Sequence, residues 1–114
     1  SDDQIKLLLL REASKSYIHH KISCVIVYDG NVIATGYNYG LVHSSLNVAV
    51  PYEVNKYSCH AEKNAIRKIK NKSILRSRKC KVYIGRIKYG QLEKAIPCDM
   101  CSKLLNKYGI RKTY

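Results

Sequence analysis

Apolar positions Ile5, Leu8, Leu9, Ala13 and Tyr17 recur at approximately helical spacing after Asp2 and Asp3, either of which can cap a helix start. The pattern predicts a first helix that ends near His19. Ile22 to Tyr28 is a β-branched run, Asp29-Gly30-Asn31 is a tight-turn signal, and Val32 to Tyr37 is a second short run, so the three together predict a β-hairpin. Tyr39 to Ser58 has no clear period and carries Ser44, Ser45, Asn47 and Pro51, which reads as a long loop of the kind that usually has a functional role. Ala61, Ala65, Ile66 and Ile69 mark a second helix. Lys81 to Ile87 is a third strand with Val82 and Ile84 on one face, and a loop holding Gly90 follows. Cys98 to Tyr108 reads as a third helix, with Met100, Leu104, Leu105 and Tyr108 apolar and Gly109 as its stop. Ile110 to Tyr114 starts a fourth strand. This alternation is that of an α/β fold, expected as a single domain over residues 1–114.

Composition narrows the class. The chain has 114 residues, 46% of them apolar, which is enough for one sizeable core and excludes collagenous or disordered readings. Its longest apolar run, Cys24 to Tyr28, is far short of a membrane span, and the first residues carry no leader pattern, so no membrane partner is expected. Five cysteines cannot all pair within one chain. In an untargeted protein, closely spaced thiols more often bind metal or catalyse than crosslink, which places the chain in a reducing, cytoplasmic compartment.

Charge adds an asymmetry. Between Lys63 and Lys112 stand 16 of the 21 basic residues against only Glu93 and Asp99, whereas the first 62 residues are near neutral and the whole chain carries +13. The run Arg67, Lys68, Lys70, Lys72, Arg76, Arg78, Lys79 and Lys81 contains no acid. It is either a solvated lysine-rich surface or a contact for polyanions, nucleotide or nucleic acid. Charge does not separate a nucleotide from a strand.

The chemistry gathers at the starts of the second and third helices. One cluster is Cys59-His60-Ala61-Glu62. The other is Pro97-Cys98-Asp99-Met100-Cys101, whose two thiols, three residues apart, project from one side of a first helical turn. Two thiolates and an imidazole supply three of the four tetrahedral positions zinc prefers, and the fourth is left for water. His60 and Glu62, two apart on a helix, do not share a face, so Glu62 flanks the open side of a metal held by His60 and stands where a general base would. Two blander readings remain beside this one. In a closed knuckle, Cys59, His60, Cys98 and Cys101 would all ligate; in a redox pair, Cys98 and Cys101 would act alone. The first asks adjacent residues to turn to one ion, and the second leaves His60 and Glu62 without a role.

With these residues in place, the sequence resembles the zinc-dependent cytidine and deoxycytidylate deaminase superfamily, which carries H-x-E followed by P-C-x-x-C. Gly36-Tyr37-Asn38, the stretch Cys59-His60-Ala61-Glu62-Lys63-Asn64-Ala65-Ile66, and Pro97 to Leu105 leading to Gly109-Ile110 look like deoxycytidylate deaminases in order and spacing, over about Ser16 to Tyr114. The resemblance implies a three-layer sandwich: a mixed central sheet that starts with the hairpin, helices on both faces, and a fourth strand cut short at Tyr114. It also implies one zinc per chain held by His60, Cys98 and Cys101, Glu62 as proton shuttle, Ala61 and Asn38 as substrate contacts, and a homo-oligomer. The implied reaction is hydrolytic, with addition at C4 of cytosine and loss of ammonia.

Cys24 reads as a small core residue, Cys80 as an ordinary thiol at a strand entrance, and His43 as an exposed loop residue or a substrate contact. Three functions follow: deamination of a free cytosine nucleoside or nucleotide; deamination of a base in single-stranded DNA or RNA, for which the charge and ten tyrosines speak; or a non-catalytic zinc module, against which Glu62 speaks.

Overall fold

The computed structural model describes residues 2–16, 21–40, 58–110 and 113–114. Its elements are α1 (Asp2–Ser14), β1 (Lys21–Tyr28), β2 (Asn31–Tyr37), β3 (Tyr39–Gly40), β4 (Ser58–Cys59), α2 (Ala61–Arg67), a 3-10 turn (Lys72–Arg76), β5 (Cys80–Lys88), β6 (Gln91–Lys94) and α3 (Asp99–Lys107). His43 and most of the expected long loop lie outside the described residues.

The central sheet has the order β2-β1-β5-β6, every neighbour antiparallel. Its parallel component is a single bridge, Val82 to Thr113, where the fourth strand was expected. Tyr114 N–H donates to Val82 C=O and Ile84 N–H to Tyr114 C=O, so β5's outer edge serves β6 at one end and Thr113-Tyr114 at the other.

β1 is buried on both faces and explains the layering. Its alternate residues Cys24 and Ile26 join Ala61, Ala65, Ile66, Val82, Ile84 and Leu105 in the larger core beneath α2 and α3. Val25 and Val27 face the other way, where Leu9, with Ile5 and Leu8, packs α1 onto the sheet beside Tyr83 and Leu92. Helices on both faces therefore form the expected three layers. Cys24 is fully buried, as a small core residue should be.

Three boundaries differ from the sequence reading. α1 stops at Ser14, well before His19, because its last turn tightens: Lys15 and Ser16 N–H reach back only three residues, to Glu12 and Ala13, and the Ser14 hydroxyl takes the Arg11 carbonyl. α2 stops at Arg67 rather than Ile69 for the same reason, with Lys68 and Ile69 bonding to Ala65 and Ile66. The expected loop after β5 is instead a second hairpin. Tyr89 (φ 52) and Gly90 (φ 75) occupy the left-handed region as Asp29 (φ 50) and Gly30 (φ 81) do in the first, the turn whose twist matches paired strands.

Candidate functional site

α2 and α3 both begin on residues whose side chains cap nothing. His60 is the N-cap of α2 and Cys98 the N-cap of α3, each in extended backbone and without a side-chain capping bond. Both side chains turn to one point instead. His60 Nδ1 lies 3.0 Å from Cys101 Sγ and 3.6 Å from Cys98 Sγ, and the three ligand atoms all fall within 4.8 Å of one another. A tetrahedral zinc with N at about 2.0 Å and S at about 2.3 Å requires ligand atoms roughly 3.5–3.8 Å apart, so the donor set suits that ion in type and spacing. Among the described residues these three donors are the ones brought together, which leaves a fourth tetrahedral position for water. Cys59 enters this region through its backbone, as the β4 residue paired with Tyr39.

Burial grades the three ligands. Cys101 is buried, His60 half-buried and Cys98 exposed, so the cluster sits in the wall of the domain and opens outward past Cys98. Burial pushes the Cys101 thiol far above its usual range, and the hydrogen-bonded Glu62 carboxyl pushes it further. Glu62 itself is only 3% exposed, and its charge adds to the burial that raises the Cys24 thiol. The carboxylate is thus buried on the inner side of the cluster, whereas the sequence reading expected it to flank the open side of a metal held by His60.

Asn38 follows β2 and is buried. Its Oδ1 accepts the Ile22 N–H at 2.9 Å while its own N–H donates to Ile22 C=O at 3.1 Å, so the side chain continues the ladder beyond the end of the strand. That bond places Asn38 without showing it free for a substrate. Ala61, fully buried, begins α2 next to His60.

Two residues of the motif stretches, given no role by the sequence, have one in the fold. A Cβ on Gly36 would lie 2.6 Å from both the Ala61 carbonyl oxygen and the Ala65 nitrogen, so α2 rests on β2 backbone to backbone. Asn64 Oδ1 accepts the Tyr37 N–H at 3.2 Å. The glycine's place beside Asn38 was the available signal; its partner on α2 is distant in sequence.

Exposed basic residues gather at the other end of the layer. Arg67, Lys68 and Lys70 end or follow α2, Arg76, Arg78 and Lys79 lead into β5, and Lys81 lies near its start. Lys68 donates to the Thr35 carbonyl and Lys72 to that of Ile69.

Comparison with known proteins agrees with this geometry. A dCMP deaminase from the cyanophage S-TIM5 superposes with TM-score 0.59 at 21% identity, over 97% of this chain and 81% of that one. A mutant cytidine deaminase from Mycobacterium tuberculosis gives 0.60 at 14% identity, over 96% and 79%. The S-TIM5 enzyme in complex with dCMP and dUMP gives 0.53 at 19% identity, over 94% and 76%. No curated protein sequence matches. The model for the cytidine and deoxycytidylate deaminase zinc-binding region matches residues 2–114, and the chain belongs to that family.

Proposed function

We propose that this protein hydrolyses the exocyclic amine of cytosine in a free nucleoside or nucleotide, giving uracil and ammonia. The carrying observation is the buried Glu62 in the first turn of α2, the helix that His60 caps, beside the cluster of His60, Cys98 and Cys101. A structural knuckle has no use for such a group. When bound at His60, Cys98 and Cys101, zinc supplies Lewis acidity toward water. Glu62 takes the water's proton, carries it to N3 of the ring, and delivers a proton to the departing amine. Burial between sheet and ligands keeps that carboxylate from bulk water. Ala61 offers its backbone to the pyrimidine edge, and Asn38 contacts the sugar or base.

The related deaminase crystallised with dCMP and dUMP supports a nucleotide as the substrate class. The test is a parallel assay of ammonia release from cytidine, deoxycytidine, deoxycytidylate and a cytosine-bearing single strand. Turnover of one or more of the first three is the expected result. Turnover confined to the strand would overturn the reading and assign the basic half to a nucleic-acid backbone.

A further inference from the structure

The segment that carries the chemistry, His60-Ala61-Glu62, is anchored at both ends to one short stretch of strand. Just before it, Cys59 pairs with Tyr39 in the β3–β4 ladder. Just after it, Asn64 bonds to Tyr37. Asn38 sits between those two anchor points, its Oδ1 held by Ile22. Two pinned chains therefore face each other, one presenting Asn38 and the other His60 and Glu62.

Asn64 does what α2 cannot do alone. The helix has seven residues, far below the roughly 12–15 at which isolated helices become even marginal, and its N-cap side chain is turned to the metal cluster. Its roll about its own axis is therefore set by tertiary contacts. The Gly36 cradle fixes how closely helix and strand approach, and the buried Ala61, Ala65 and Ile66 choose the face turned to the core, but small alanines against bare backbone tolerate a limited roll and slide. The Tyr37 bond closes that freedom. β2 is the edge strand, and Asn38 N–H points inward to Ile22 on β1, so the preceding N–H, that of Tyr37, points outward, where Asn64 Oδ1 meets it. A slip of one residue would turn the helix by about 100° and carry Glu62 off the cluster.

We infer that Asn64 is a positioning residue: through its bond to Tyr37 N–H it sets the roll of α2 and thereby aims the Glu62 carboxyl at the metal cluster and at whatever base lies beside Asn38. This rests on the catalytic reading of Glu62 given above, yet two of its readouts need no turnover. In Asn64→Ala, the expected result is one metal per chain, a Tyr37 amide that exchanges at least about tenfold faster, KM within about threefold of wild type, and kcat lower by about 10- to 100-fold, the usual loss when a supporting partner of a metal site is removed. Absorption of the cobalt-substituted protein would report the altered surroundings of the cluster. Asn64→Asp keeps the acceptor and should restore Tyr37 protection and most of kcat. Unchanged kcat in Asn64→Ala, a loss carried only by KM or by metal content, unchanged Tyr37 exchange, or an unchanged cobalt spectrum would each overturn the inference. If Asn64→Ala does not fold, Asn64→Gln moves the acceptor by one methylene and carries the same test: lower kcat supports the role, and wild-type kcat refutes it. A wild-type protein that turns over no cytosine substrate would refute the catalytic reading instead, while exchange and cobalt absorption still judged Asn64's structural part.

Discussion

Two carboxylates lie buried in this small domain, one on each side of the sheet, and they are treated in opposite ways. Glu12 on α1, 5% exposed, accepts the Thr35 hydroxyl at 2.8 Å and pairs with Lys15. Its burial alone would raise its pKa, but the bonds from Lys15 and Thr35 and the charges of Lys15 and Lys68 outweigh this and hold it below its ordinary value of 4.5. Glu62, 3% exposed, meets a thiol instead, and pushes that thiol upward. A buried acid ringed by donors is a stitch between α1 and β2. A buried acid set against another acidic group and a ligand cluster fits the proton-carrying role proposed for Glu62. Burial is nearly equal, so the neighbours decide the role.

The largest test removes what Glu62 faces. Cys101→Ala should bring metal content from one ion per chain to a small fraction of that, and deamination with it, as read by elemental analysis and ammonia release. Full metal occupancy in that variant would mean another residue completes the site. Glu62→Gln comes next: fold and metal should persist while kcat falls by about 10² to 10⁴, the usual share of a positioned acid or base. An active variant would make the two carboxylates alike.

Glu12→Gln is the counterpart on the other face. Catalysis per folded molecule should be unchanged, while denaturant unfolding at pH 7 shows a loss of about 1–3 kcal/mol. The pH dependence fixes the cause. Because folding lowers the Glu12 pKa, its stabilisation is fully present above about 4.5 and is lost as pH falls through the lower folded value. The gap between wild type and Glu12→Gln should therefore close in acid, and a gap constant with pH would show packing rather than charge. The smallest effect concerns cations outside both sites. With a mononucleotide substrate, KM should rise with salt no more steeply than one phosphate allows, a log-log slope of roughly +0.7, despite the exposed Arg76 to Lys81 run. A slope of several units for strand binding, abolished when that run is neutralised, would point to a polyanion track.

What the sequence disclosed follows the range over which each signal acts. His60, Cys98 and Cys101 were legible as one cluster because metal chemistry imposes local spacings on helix starts, whereas the burial of Glu62 was not. The first hairpin was legible because Asp29-Gly30 is a short-range turn signal. The second was not: Tyr89 enters the left-handed region without the usual Gly, Asn or Asp, and β6 is polar apart from Leu92. The 3-10 turn left a readable trace in Asn71, whose Oδ1 accepts the Ser73 N–H. Gly36 against α2 and Asn64 against Tyr37 join residues about 25 or more apart, and no local pattern announces such a pair.

The two halves of the ligand cluster are 41 residues apart along the chain. Closing a flexible loop of that length costs roughly 3 kcal/mol in chain entropy. Here the loop is already closed by β5 lying beside β1 and by α3 reaching the shared core, so an arriving ion meets donors in place and does not organise the chain. A bound metal should act as a lock: unfolding would have to part His60 from Cys98 and Cys101, and loading should act chiefly on the rate at which the folded protein opens.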